Sequence, residues 1–402
     1  MISIEEFCAE CEAFLAASYQ PKVVAKQEFA WGKGSDATLL FDELDWEEER
    51  AAVAAVRRWR KELWDAGLGW ISGPPELGGR GLPARYQRAL DQLARHYDVP
   101  GNRKLIASLG IVEPAIATHG SPDLQRRLLP AMHAGDVIAC QLFSEPDAGS
   151  DLASVATRAV ADGGEWRLTG QKVWTTGAHF SDVGMALCRT SESPRHRNLT
   201  AFVVDMHAPG IEVRPLRQMT GGAEFNEVFI EGVVVPDANR LGDVGEGWAV
   251  ALTTLRHERQ ALGDQGFGGS GLLAIERYRQ MAEVFGRSCD PVVRQAFADL
   301  VVHFRVAKYT RARAADLEGA GTASGAEGPI AKLQLTANYQ RIVDYVSLLL
   351  GPKLLAESGE WGTYAWAKFV LGTPSMRIGG GTDEIMKNQL AERVLSLPKD
   401  RS

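Results

Sequence analysis

The sequence predicts an α+β chain in three parts: a helical N-terminal domain, a β-rich middle domain and a helical C-terminal domain. Three observations carry that prediction. Apolar residues recur at three- and four-residue spacing from Glu47 to Gly135, the period of a helix face. Between Val137 and Val235 the pattern changes to short runs rich in Val, Ile, Thr and Phe, divided by turn residues. From Gly245 onward, long amphipathic patterns return. With 402 residues and 45% hydrophobic content, the chain can bury a large core shared among two or three domains. The expected boundaries are 1–136, 137–240 and 241–402.

Near the start, Phe7, Cys8, Cys11 and Phe14 repeat at helical spacing, so the lone CxxC of Cys8 and Cys11 reads as core-facing helix residues ahead of a metal or redox pair. No metal site is expected. The polar, glycine-containing stretch from Ala30 to Asp42 predicts a surface excursion. Val53, Val56, Trp59, Leu63 and Trp64 then form a helical stripe that ends at the Gly-rich break of Gly73 to Gly81. In the middle third, Trp166 to Thr169, Val183 to Cys188 and Thr200 to Val204 suit strands of a β-sandwich or small barrel. Helices are predicted over Leu272 to Phe285, Val292 to Leu317, Pro329 to Leu350 and Asp383 to Leu395, the third with Pro329 in its first turn.

A net charge of −7 argues against nucleic acid or an anionic membrane as the main partner, while leaving room for a local basic patch that takes a phosphorylated ligand. No run approaches the ~18 apolar residues of a membrane span, and Met1 to Glu6 lacks the basic start of a signal peptide. Five scattered cysteines fit a reducing compartment, so the expected location is cytoplasmic.

Chemistry concentrates in a few segments. Gln141-Leu142-Phe143-Ser144-Glu145-Pro146-Asp147-Ala148-Gly149-Ser150-Asp151 packs small hydroxyls, two turn residues and a Gly-Ser pair into one strand-to-loop segment, which brings N–H groups and hydroxyls close to a flat or phosphate-bearing ligand. Lys172-Val173-Trp174-Thr175-Thr176-Gly177 follows some twenty residues later. Gly379-Gly380-Gly381-Thr382, just before a helix, suits an anion or a carbonyl; it is equally an ordinary glycine turn with Thr382 as N-cap, and the two readings hold together. The GxGxxG of Gly266 to Gly271 lacks the buried strand a dinucleotide fingerprint requires, because the charged run Leu252 to Gln265 before it reads as helix. It is read as a helix break or close helix packing.

Joined in order with Pro75 to Gly81, Phe225 to Phe229, Val235 to Asp237, Gly245 to Trp248 and Ala391 to Leu395, these segments make the chain resemble the acyl-CoA dehydrogenase family from about Glu47 to Pro398. The resemblance implies a four-helix bundle in the C-terminal domain, FAD as cofactor and an acyl-CoA substrate oxidised to a trans-2-enoyl-CoA. It also implies electron-transfer flavoprotein as acceptor and an oligomer, either homomeric or α2β2 with a paralogous subunit. Residue by residue, Gln141, Leu142, Phe143 and Ser144 would line the flavin, and Gly149 and Ser150 would approach the pyrophosphate and the acyl-CoA side. Trp174, Thr175 and Thr176 would cover the ring, and Thr382, Asp383 and Glu384 would sit against the cofactor. Ser150, Arg259, Gly380 and Gly381 would meet the substrate. Taken singly, Trp174 reads as a core tryptophan and Ser144 and Thr176 as turn caps; the paired motif shifts the balance toward flavin contact.

Removing hydrogens from Cα and Cβ of a thioester needs a base, a site for enolate-like charge and a hydride acceptor, and a carboxylate serves best as base where a dry pocket raises its pKa. Many members of the family carry that base as a glutamate directly before the Gly-Thr of the C-terminal turn, where this chain has Gly380. Leu255-Arg256-His257-Glu258-Arg259 resembles instead the helix on which the isovaleryl and long-chain members carry their base, with Glu258 at the matching position. Bacterial members acting on bulky or steroid side-chain thioesters, often α2β2 assemblies, share both features. Read alone, Glu258 is a solvated helix glutamate paired with an arginine. The glycine-rich segment that reaches a neighbour's flavin is reduced to Leu350-Gly351-Pro352-Lys353, and Arg287 is the nearest candidate for the arginine over a neighbour's pyrophosphate. Two rival readings are a non-catalytic partner subunit and an oxygen-using flavin monooxygenase on the same scaffold.

Overall fold

The structure, a computed structural model, describes residues 2–22, 30–40, 44–264 and 272–399, apart from the side chains of residues 259, 260, 262–264 and 318. The chain forms two compact units, one from Met1–Lys26, Leu44–Arg217 and Ala223–Glu258, the other from Gln27–Glu43, Gln218–Gly222 and Arg259–Ser402.

The first unit begins with helices α1 (Ile4–Ser18), α2 (Trp46–Asp65), α3 (Ala84–Ala94), α4 (Glu113–His119) and α5 (Pro122–Ala134). Reciprocal capping boxes start the first two, Ser3 with Glu6 and Asp45 with Glu48, satisfying backbone donors that a helix start leaves free. α1 buries Phe7, Cys11 and Leu15, and α2 buries Val53, Val56, Trp59 and Leu63; of the expected stripes, Cys8, Phe14 and Trp64 are only partly buried. Cys11 is fully buried and burial pushes its thiol up to about 12, the behaviour of a packing residue.

Eight strands follow: β1 (Ala139–Leu142), β2 (Arg158–Asp162), β3 (Glu165–Thr176), β4 (Val183–Arg189), β5 (Leu199–Asp205), β6 (Ile211–Leu216), β7 (Phe225–Pro236) and β8 (Arg240–Leu241). They join in one mixed sheet of order β6-β7-β3-β2-β4-β5-β8, with β1 running parallel on β4. Side chains alternate across the strands. On β4, Met185 and Leu187 pack with Leu124, Leu128 and Met132 of α5, while Ala186 and Cys188 face a second core with Leu142, Phe202 and Val228. Helix α6 (Gly247–Asp264) follows the sheet.

In the second unit, α7 (Ile275–Val284), α8 (Pro291–Gly319), α9 (Glu327–Leu350), α10 (Ala365–Met376) and α11 (Asp383–Gln389) enclose Tyr278, Met281, Tyr339, Ile342, Tyr345, Trp366 and Phe369. Among the described residues, no helix is long and apolar enough to cross a membrane.

One expectation is overturned. The stretch from Ala30 to Asp42 is not a surface excursion: Thr38 and Leu40 are buried, and Leu40 belongs to the core of the second unit. The Thr38 hydroxyl donates to the Ala365 carbonyl at 2.7 Å, and Trp31 sits edge-on to Phe285 at 5.8 Å and to Trp361 at 4.8 Å. The polar residues that predict exposure lie between apolar anchors, and those anchors find partners more than two hundred residues away in sequence. Phe41, Asp42 and the whole of Gly266 to Gly271 lie outside the described residues.

Candidate active site

β1 delivers the hydroxyl-rich loop. Leu142 and Phe143 turn into the two cores of the first unit, Ser144 and Gln141 are half-buried, and Gly149 and Ser150 are exposed. Glu145 and Ala148 pair backbone to backbone in both directions, leaving Pro146 and Asp147 as the tip of a tight hairpin. Beneath it lies a buried ion pair absent from the sequence reading. The Glu145 carboxylate accepts from Lys172 Nζ at 2.8 Å and from the backbone N–H groups of Ala156 at 2.6 Å and Thr157 at 2.9 Å. Lys172, wholly buried, also donates to the carbonyls of Phe143 at 3.1 Å and Leu187 at 2.7 Å. Burial pushes the Glu145 carboxyl up, but Lys172 and these N–H groups outweigh it and hold the pKa below the ordinary value.

The same lysine fixes β3 at the point where its pattern inverts. Up to Lys172 the even-numbered residues Trp166 and Leu168 are buried; beyond it Val173 and Thr175 are buried, while Trp174 and Thr176 are exposed. The cause is a bulge. Lys172 pairs with Val228 but Thr175 pairs with Asn226, so β3 spends one extra residue, and Trp174 takes φ 61°, rare for a residue with a side chain. A one-residue slip flips every later side chain to the opposite face. Strict alternation would put Trp174 in the core; the bulge turns its indole outward, 58% exposed, with Phe225 edge-on at 5.9 Å. The backbone N–H of Val173 donates to the Ser144 carbonyl at 2.9 Å, so loop and bulge are one construction.

This construction fits a flavin on three counts. An aromatic plane is presented to solvent from a strained bulge. The buried Thr175 hydroxyl finds no hydrogen-bond partner among the described residues. Gly149 has open space where a Cβ would stand.

Glu258 lies in the same unit, near the end of α6. Its Oε2 accepts a hydrogen bond from Gln141 Nε2 at 3.3 Å, so a half-buried carboxylate and the first residue of the hydroxyl-rich segment are neighbours. Along a different face of α6, Thr253 Oγ1 meets His119 Nε2 at 2.9 Å. Burial, reinforced by Arg256, lowers the pKa of His257, and the Glu113 carboxylate opposes that shift. The side chain of Arg259 lies outside the described residues.

In the second unit, the glycine turn has left-handed backbone at Gly380 (φ 68°) and Gly381 (φ 92°), where a side chain is strained. Thr382 caps α11, its hydroxyl accepting from the Ile385 N–H at 3.1 Å. Asp383 is buried, with Oδ2 taking Arg377 Nε at 2.8 Å and Oδ1 taking the Thr336 hydroxyl at 3.0 Å, so its carboxylate anchors the turn from within. Glu384 is exposed on the first turn of α11. Arg287 donates to the Leu348 carbonyl at 2.6 Å and to Asp290 at 2.6 Å, and its side chain is 35% exposed.

Sequence comparison agrees with this architecture. Residues 38–136, 140–233 and 245–395 match the N-terminal, middle and C-terminal domains of acyl-CoA dehydrogenase. The chain is 33% identical over 408 residues to acyl-CoA dehydrogenase IpdE1 of Mycobacterium tuberculosis, covering 100% of this chain and 99% of that protein. It is 36% identical over 355 residues to acyl-CoA dehydrogenase FadE34 of the same organism, covering 87% of this chain but only 48% of FadE34, so it spans about half the length of that relative. Among solved structures it resembles the Tcur3481-Tcur3483 steroid ACAD, with a TM-score of 0.74 at 23% identity over 99% of this chain and 98% of that one. The ChsE4-ChsE5 complex from Mycobacterium tuberculosis gives 0.67 at 24% identity over 99% and 100%. The chain belongs to the acyl-CoA dehydrogenase family. It is an FAD-dependent oxidoreductase of acyl-CoA thioesters.

Proposed function

We propose that this enzyme removes the Cα proton and a Cβ hydride from a bulky acyl-CoA, giving a trans-2-enoyl-CoA, with Glu258 as the base. The observation that carries this reading is the hydrogen bond between Glu258 and Gln141 at the root of the flavin loop. FAD, when bound, supplies the hydride acceptor. Glu258 Oε2 takes the proton, and Gln141 orients that carboxylate. The Gly380 N–H, freed from any side chain, polarises the thioester carbonyl. Gln141, Ser144, Gly149, Ser150, Trp174, Thr175, Thr176, Thr382 and Glu384 contribute the flavin contacts, Leu142 and Phe143 by backbone alone since their side chains are core.

A ring-bearing or steroid-type acyl group is supported by the likeness to a steroid ACAD and by the glycine in place of a bulkier residue at position 380. Electron-transfer flavoprotein is the acceptor by family precedent. An oligomer, dimeric or α2β2, is supported by Val292, Val302, Val306 and Tyr309, apolar residues that α8 leaves exposed, and Arg287 would serve a neighbouring copy's cofactor. Five free cysteines fit work in the cytoplasm.

The test is Glu258→Gln, which keeps size and the Gln141 contact while removing the base. Flavin remains bound, and anaerobic flavin reduction by a reactive acyl-CoA slows by about 10² or more. Reduction at the wild-type rate excludes Glu258 as the base.

A further inference from the structure

Behind the Trp174 bulge, β3 ends in a left-handed turn at Gly177, and the next turn carries His179 back toward α2. His179 is bonded on both ring nitrogens. Nε2 lies 2.7 Å from Glu49 Oε2 and Nδ1 lies 2.9 Å from Asn226 Oδ1. The same Asn226 oxygen accepts the backbone N–H of His179 at 3.3 Å, and because a backbone N–H can only donate, the amide is oriented with its oxygen toward the ring. A carboxylate on one side and an amide oxygen on the other require a proton on each nitrogen. Asn226 is itself buried and is the strand partner of Thr175, the first residue paired after the bulge.

We propose that His179, held as an imidazolium between Glu49 of α2 and Asn226 of β7, is a positioning residue that clamps the Trp174 bulge in its cofactor-binding form and releases it on deprotonation. This rests on the reading of Trp174 to Thr176 as the flavin wall.

The surroundings favour the charged form. Glu49 also takes Lys104 Nζ at 2.5 Å, and although burial pushes its carboxyl up, the bonds from His179 and Lys104 win and bring it down to about 2. Burial pushes the His179 pKa down, but the Glu49 and Asn226 bonds outweigh it and leave it above its ordinary value of 6.5. His179 lines a cleft of about 260 Å³ with Trp46, Arg50, Arg57 and Phe180. The charged groups facing it are therefore Glu49, Arg50 and Arg57 on α2 and Lys104 from the turn before α4. Arg57 is paired with Asp182 at 2.7 Å, and the exposed His207 stands 3.9 Å from Asp182. The sign follows. A raised histidine pKa means the clamp is complete below about pH 6.5 and is lost as pH rises through the raised value. Glu49 titrates far below that range.

The experiment follows FAD release from the holoenzyme by the recovery of flavin fluorescence on dilution, from pH 6 to 9, in wild type, Glu49→Gln, His179→Gln and Trp174→Ala. Wild type loses affinity about tenfold with rising pH, the fold-change that one pKa unit of coupling produces. Glu49→Gln moves that transition to lower pH by about one unit or more, since it removes the charge opposite the ring. His179→Gln shows a flat profile at the weaker level. A wild-type profile that is flat, one retained in His179→Gln, or an unmoved transition in Glu49→Gln overturns the clamp. If Trp174→Ala leaves FAD affinity untouched, the flavin-wall reading fails; if Trp174→Ala weakens binding while His179→Gln matches wild type at every pH, the clamp alone fails.

Discussion

Two glycine-containing loops of this enzyme, the hairpin after β1 and the turn before α11, are each moored by one ion pair. The moorings differ. Lys172 and Glu145 are 0% and 7% exposed through their side chains, whereas Arg377 and Asp383 are 49% and 8% exposed. In the first both charged side chains have been taken from water; the second faces water on one side, which screens it and substitutes for it. Nearby threonines differ in the same sense. Thr382 spends its hydroxyl on capping a helix, while Thr157, which donates its N–H to Glu145, and Thr175 on the adjoining β3 bulge keep buried hydroxyls with no partner among the described residues. Unmet hydroxyls beside the hairpin are what a ligand site leaves open, while the glycine turn is satisfied from within.

The comparison breaks most sharply at Lys172. Lys172→Met leaves Glu145 buried and unpaired, and denaturant unfolding of the purified protein should show a loss of about 3–5 kcal/mol. The double change Lys172→Met with Glu145→Leu should recover much of that loss, because apolar side chains of similar size replace a buried pair at little cost. Thr175→Val comes next. It removes a hydroxyl that has nothing to bond in the unliganded protein, so apo stability stays level or rises while FAD affinity, measured by fluorescence titration, falls about tenfold, the scale of one lost hydrogen bond. Thr382→Ala should cost about 1 kcal/mol of thermal stability, the ordinary worth of an N-cap. Arg377→Ala has the smallest effect. It lowers the melting temperature less than Lys172→Met does, and added salt narrows the gap to wild type; an Arg377→Ala defect as large as the Lys172→Met defect and indifferent to salt would erase the contrast.

Much of this could be read from the chain, and the exceptions have two causes. The helices of α2, α7, α8 and α9 announce themselves by apolar spacing, and the strands through Trp166, Met185 and Phe202 by short β-rich runs between turn residues. The segment around Glu258 suggests its role only by resemblance, and the structure adds its contact with Gln141. Residues 30–40 were misread because Trp31, Thr38 and Leu40 are sparse among polar neighbours, and only their partners at Trp361, Ala365 and Phe285 reveal them as core. Trp31 and the Leu39-Leu40 pair were the available signal. α10 was missed where Gly372 and Pro374 interrupt the buried spacing of Trp366, Phe369, Thr373 and Met376. The roles of Lys172, His179 and Asn226 were hidden for a different reason. A lysine's burial depends on a carboxylate 27 residues back, and a bulge is a property of two strands, so neither exists in one segment alone.

The left-handed backbone at Gly380 also bears on the history open to this enzyme. An L-residue there costs roughly 1–2 kcal/mol before its side chain meets anything, so a glutamate cannot return to position 380 as a single neutral step. If Glu258 is the base, a population that has lost it should regain activity by reverting on α6 long before it finds the turn. The glycine then works as a ratchet that keeps a carboxylate off the turn.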